Sequence, residues 1–488
     1  MSRGCFIIIL TWLISCNQNV SCFLIPTATT TTSSTSSSSV GGRREKRDEM
    51  MVLHQSMYAS SSSQQQQPYY NNNNNNNAMI HTDESVERNV VGMESWSEQI
   101  AGIVRSPSVQ FTGIPDPVVS THTDIFLYTT DDLPEQTPLL QVPSMSILSS
   151  NRAMMELKSK EMEGVENLVV TLNAKTELRQ FYLMVYILRE LERGVESPWY
   201  DYFNAMPRYF SNAASMTDFC FECLPPLVSK LAREERRKLR ALTGAAIKRV
   251  PFLSDDTKYN KELIRFAFQL VYTRAIEDGG DIKLVPMVDF FNHNGATPNV
   301  YMAYDQEGNC YAQTMRDVQA GEPLTFSYAD PTNPSHLFAR YGFMDETSEA
   351  TFCKILPAHV NEALKIIGYA ENTMLFYKNG EVSPQVWDYL LYQALSRNNV
   401  KNKRMFLTAC IQNDWNTKQQ LHDQFMQVTY ASLLQHIDDT LALLDALENK
   451  TQNKNLQQHP RIPVILQHNN FVRETFLRVR NLYFGGQQ

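Results

Sequence analysis

The sequence predicts an α+β fold in which short strands are interrupted by a helical insert and followed by an all-α C-terminal domain. Three observations carry this. Between Leu284 and Glu346 the chain reads LVPMVDFFNHN, an acidic turn and a strand, then GEPLTFSYADPTNPSHLFARYGFMDE. Three apolar runs there, Lys283–Val288, Val300–Tyr304 and Leu324–Ser327, are strand-like. Residues 150–280 carry apolar spacings of helical period, and after Asp345 glycine thins out and helical patterns dominate.

Taken in order, the chain opens on an address. Arg3 precedes an apolar run from Cys5 through Ile14, and the small pair Ser21-Cys22 fits a signal-peptide end, giving an expected leader over 1–22. The run is too short to span a bilayer. Phe23-Leu24-Ile25-Pro26 follows, then a hydroxyl-rich stretch with no acidic residue until Glu45. That order is similar to the bipartite plastid targeting of algae with secondary plastids, with ordinary secretion as the alternative. Thr/Ser over Thr27–Ser39, Gln64–Gln67 and Asn71–Asn77 bury too little apolar surface to offset chain entropy, so 23–96 is expected to be transit-like or disordered. Order is expected from about Trp96.

From Ile125 to Ser149, FLYTTDDLPEQTPLLQVPSMSILSS reads as two short strands joined by a polar turn. Thr176 is placed to cap TELRQFYLMVYILRELERG, whose stripe is Leu178, Phe181, Tyr182, Val185 and Leu188, and Gly194 ends the run. Pro198-Trp199-Tyr200 and Met206-Pro207 mark a loop, and a further helix covers roughly Tyr259–Arg274. Beyond Asp345, helices are expected over Val360–Ile367, Pro384–Ser396, Lys403–Ile411, Thr417–Leu447 and Asn470–Val479.

The strand-like runs deliver Asp289, Asn292, His293, Tyr328 and Tyr341 near strand ends, which is the composition of a site rather than of a core. Asp289-x-x-Asn292-His293, then Ser327-Tyr328, Asn333 and Tyr341-Gly342-Phe343, resembles the SET-domain protein methyltransferases. The closer resemblance is to the subgroup of the plant Rubisco large-subunit lysine methyltransferase and the actin histidine methyltransferase. It runs from about Ile125 to the C-terminus, and the order of several short blocks makes it more specific than a lone motif.

The resemblance implies a SET domain over 97–345 with a helical insert at about 150–280, and a helical substrate-binding-like domain over 346–488. It implies S-adenosylmethionine as cofactor and a protein substrate. Tyr328 is the expected catalytic residue at the neck between cofactor and substrate. Asn292, His293 and Tyr341 fall on the cofactor side and the channel wall; Arg274, Asp289 and Tyr304 fall on the substrate side. Arg274 reads equally as a basic residue at a helix C-terminus, and Asp289 either fixes its turn or faces substrate. The chain departs from the family at one point. Where a glycine-containing turn usually approaches the cofactor, it has Thr121-His122-Thr123-Asp124-Ile125.

Composition excludes other classes. A net charge of −8 argues against a nucleic-acid binder, and the basic LAREERRKLRAL segment alternates signs as a solvated helix face does. No membrane span is expected in the mature chain. Cysteines at 5, 16, 22, 220, 223, 310, 353 and 410 form no evident disulfide framework, and Cys220-Phe-Glu-Cys223 lacks a second pair for zinc. No metal set, GxxxxGK loop or GxGxxG fingerprint is present. The resemblance implies a protein-lysine N-methyltransferase. The alternatives are an inactive SET-fold module that holds a protein partner, and histidine methylation.

Overall fold

The computed structural model describes residues 80–116, 119, 122–328, 334–351, 355–357, 359–452 and 454–485. The leader and the Ser/Thr, Gln and Asn tracts lie outside them, as do Thr121, Asn333 and Cys353. Order begins before Trp96: a helix spans Val90–Gln99, capped by the Asn89 side chain on the Gly92 amide. Its buried Trp96 stacks near Tyr202 at 5.8 Å and donates its indole N–H to the Pro198 carbonyl at 2.6 Å. Tertiary packing, which composition does not reveal, orders this segment.

The strands Val109–Pro115 and Thr123–Thr129 pair as an antiparallel hairpin with Gly113 opposite Ile125. A four-stranded sheet runs in the order Val104–Arg105, Pro138–Val142, Cys310–Thr314, Val300–Tyr304, so the opening and later strands of the unit meet edge to edge. The first expected strand thus pairs in its own hairpin and the second joins this sheet. Leu148–Ser149, Asp281–Leu284 and Ile276–Asp278 form a three-stranded sheet.

Between the opening and later strands lie the insert helices, chiefly Ser150–Leu157, Leu178–Glu192, Pro226–Thr243 and Lys261–Arg274. Thr176 does not cap its helix. It lies in a 3₁₀ turn over Lys175–Glu177, and its hydroxyl bonds Glu177 instead. Leu178–Glu192 is also buried on more than one stripe: Phe181 through Val185, Ile187, Leu188, Glu190 and Leu191 are all inside. Glu190 is tolerated there because Arg193 and the Ser197 hydroxyl each meet its carboxylate at 2.9 Å. Asn260 splits the helix expected from Tyr259 and caps Lys261–Arg274 through the Leu263 amide.

Helices Pro384–Asn398, Val400–Gln412, Trp415–Thr451 and Ile462–Phe484 build the C-terminal lobe around Phe376, Leu391, Phe406, Leu433, Ile437, Leu444 and Phe476. A smaller cluster joins the lobes, with Cys220, Cys223 and Phe338 packing against Ile462 and Ile465. Both thiols are free and buried, so the CxxC pair serves as packing. Among the described residues no helix is long and apolar enough to cross a membrane, and no cluster of acidic, His and Cys side chains could hold a metal.

Candidate active site

Two segments far apart in sequence meet as a parallel pair, Asn292 opposite Thr325 and His293 opposite Phe326. This pairing places Tyr328 against His293. The Tyr328 amide donates to His293 Nδ1 at 3.0 Å, and His293 Nε2 contacts Asp345 Oδ2 at 3.0 Å. Because Nδ1 accepts from an amide, the ring proton sits on Nε2 and is donated to Asp345. Burial works against ionisation of Asp345, but hydrogen bonds from His293 and Thr347 outweigh it and hold the carboxyl below its usual range. Both imidazole nitrogens are thereby engaged within the protein. Only the backbone of His293 remains for a ligand, which narrows the role expected from sequence.

Around Tyr328 the walls are aromatic. Its ring centroid lies 4.9 Å from Phe326, 5.2 Å from Tyr341 and 6.1 Å from Phe343. The Tyr328 hydroxyl donates to the Phe291 carbonyl at 2.6 Å. Burial pushes its pKa well above that of a free phenol, and burial raises Tyr341 to about 12. Both hydroxyls therefore stay protonated. With its proton committed to Phe291, Tyr328 offers its oxygen only as an acceptor.

Tyr341 ends the helix Pro334–Tyr341, and Gly342 follows with φ +83°. A Cβ there would lie 2.3 Å from the Ser211 carbonyl carbon, so glycine alone permits the turn and the close approach. The loop it touches is itself pinned: the Asn212 amide donates to Gln269 at 2.6 Å and to the Arg340 carbonyl at 3.0 Å.

Charged groups occupy a neighbouring region. Met287 adopts φ +70°, unusual for a side chain of its size, and turns the chain so that Asp289 points inward. Arg274 Nη1 donates to the Asp289 carbonyl at 2.6 Å and meets its carboxylate at 3.3 Å, while the Tyr202 hydroxyl donates to the same Oδ2 at 3.1 Å. Asp289 has no side-chain exposure, and burial lifts its pKa, with Arg274 and Tyr202 pulling back. Asp289 is thus an internal anchor for Arg274 and does not face an open groove. Tyr304 is not brought to this site: its ring lies under Lys283 Nζ at 3.9 Å, and it pairs with Cys310 in the four-stranded sheet. The even period of the strand puts it on the same, core-facing side as Val300 and Met302.

Sequence reading missed Arg88. It precedes the family-like blocks, and no spacing marks it. Its Nε donates to the Ala205 carbonyl at 2.7 Å and its Nη1 to the Thr123 carbonyl at 3.3 Å, with its guanidinium 5.4 Å from the Phe290 ring. Nη2 is buried with no hydrogen-bond partner among the described residues. Burial, then the nearby Arg274, lower its pKa well below the usual value. Next to Thr123, Asp124 accepts from the Asn292 amide at 3.0 Å. A Cβ on Gly113 would come within 2.5 Å of Thr123 Cγ2, so the facing strand makes room for the Thr123 side chain.

Residues 124–329 match the SET domain family model. Among solved structures, it is similar to Rubisco LSMT bound to sinefungin and monomethyllysine, with 15% identity, TM-score 0.57, and coverage of 82% of this chain and 93% of that one. The SET domain of LSMT bound to lysine and AdoHcy aligns with 14% identity and TM-score 0.56, covering 82% and 91%. At such identity the likeness is one of fold, and it includes the C-terminal helices. No curated protein matches by sequence.

Proposed function

We propose that this protein is an S-adenosylmethionine-dependent protein N-methyltransferase whose acceptor is a lysine, methylated in the narrow passage lined by Phe326, Tyr328, Tyr341 and Phe343. The observation that carries the reading is the junction of Asn292-His293 with Tyr328 beside a buried, incompletely satisfied arginine. Solved proteins of the same fold were captured with lysine, monomethyllysine and AdoHcy, which supports the acceptor and the cofactor.

The residues fit such a cofactor. Arg88, whose Nη2 has no acceptor, suits a carboxylate; the Asn292 side chain and the His293 backbone suit its remaining polar groups. When bound, S-adenosylmethionine supplies a methyl group on a sulfonium. The chain's own task is alignment and exclusion of water. A lysine side chain titrates near pH 10.4 and must arrive without its proton; the aromatic walls disfavour the ammonium form. Tyr328 stays protonated, so it does not act as the base. Its oxygen accepts an N–H of the neutral amine and aims the lone pair along the passage.

The test is calorimetric titration of S-adenosylmethionine into the purified chain, followed by labelled-methyl incorporation into protein. Absence of both would overturn the proposal. Inside the cell, we propose a plastid site of action, on the order of leader and hydroxyl-rich segment in the first residues. A fluorescent fusion to the intact chain that follows the secretory route instead would exclude it.

A further inference from the structure

A cavity of about 170 Å³ lies between the lobes. Pro225, Leu227 and Val228 enter it from the SET lobe, and Leu444 and Val472 from the C-terminal helices. Ser335 sits at one edge, its hydroxyl 3.3 Å from His468 Nε2. His436, on the helix Trp415–Thr451, also lines it, held by the rings of Phe376 at 5.8 Å and Phe476 at 5.7 Å. His436 Nε2 is buried with no hydrogen-bond partner among the described residues. A buried polar atom left unpaired costs stability, whereas the rest of the lining is chiefly apolar.

We infer that this cavity binds a small neutral aromatic alcohol of the phenol class, its ring against Leu444 and Val228 and its hydroxyl on His436 Nε2. Size supports the ring: a dry cavity of about 150 Å³ lined by apolar side chains accepts benzene. The hydroxyl follows from the imidazole, which carries its proton on either nitrogen; only a group that both donates and accepts pairs with both tautomers. Charge sets the remaining condition. Burial holds His436 down to about 4, against the opposing pull of Asp439, so it stays neutral at physiological pH. Asp439 at the rim repels carboxylates, and an ammonium would lose its hydration on entry. Because both lobes line the cavity, a bound ligand braces their docking. The helix Pro334–Tyr341 contributes Ser335 at one end and the channel tyrosine at the other, so the brace reaches the methyl-transfer wall.

The experiment uses the full chain and three probes: phenol, anisole and benzene, titrated by calorimetry and by thermal melting. Phenol is expected to raise the melting temperature and to bind about three- to tenfold more tightly than benzene, with anisole between them or weaker. His436→Phe, which keeps a ring between Phe376 and Phe476, should reduce phenol to the level of benzene. Leu443→Trp, at the partly exposed rim, should weaken all three while leaving the unliganded melting temperature unchanged. Equal affinity for phenol and benzene, phenol binding that survives both substitutions, or no binding at millimolar phenol would overturn the inference.

Discussion

The aromatic junction and the charged cluster beside it solve the problem of buried polarity in opposite ways. At the junction the polar side chains are paired within the protein: the Tyr328 hydroxyl with Phe291, His293 with the Tyr328 amide and Asp345, and Asp345 with Thr347. In the charged cluster, Arg88 Nη2 and Asp289 Oδ1 have no hydrogen-bond partner among the described residues, even though Arg274, Tyr202 and Thr123 are close. A satisfied network is rigid and shapes a passage; an unsatisfied one carries a standing cost that a polar ligand removes. We therefore propose that the first region aims a nucleophile and that the second holds a charged molecule.

Breaking the junction should have the largest effect. Tyr328→Phe keeps the aromatic wall but removes the oxygen, and methyl transfer should fall about 10²- to 10³-fold with cofactor affinity unchanged. Single-turnover incorporation beside calorimetry separates the two; a loss of affinity of the same size would erase the distinction between the regions. Arg88→Met should do the reverse, weakening cofactor binding about tenfold to a hundredfold while turnover at saturation changes little.

Asp345→Asn sharpens the comparison through pH. The folded-state pKa of Asp345 lies below its usual value, so its contribution to stability is complete above about pH 4 and is lost as pH falls through the lower folded value. The variant should be about 1–3 kcal/mol less stable at neutral pH, with the difference from the native chain shrinking in acid. Denaturant melts at pH 7 and pH 3 measure it; an unchanged gap would show that the carboxylate is not the stabilising group. The smallest effect is expected at the hairpin. Gly113→Ala should cost about 1 kcal/mol through contact with Thr123 Cγ2, and Thr123→Ser, which lacks that methyl, should restore most of it.

The residues that carry the junction were visible in the chain because they fall in short contiguous blocks: Asn292-His293, Ser327-Tyr328, Tyr341-Gly342-Phe343. Gly342 shows why, since its positive φ and its contact with residue 211 admit no side chain. Asp289 and Tyr304 were visible too, yet their surroundings were not. A strand residue's neighbours depend on pairing, and Tyr304 turns toward Lys283 and Cys310. Arg88 carried no local signal. Its position depends on a helix ordered by Trp96 against Tyr202, a contact between segments about a hundred residues apart.

Sequence by itself determined the α+β class, the helical C-terminal lobe and the composition of the site, because periodicity and strand-end polarity are local properties of the chain. Tertiary structure alone decided which polar atoms are spent and which are left over. That difference depends on distances between segments far apart in sequence, where a shift of one residue in register moves a side chain to the opposite face.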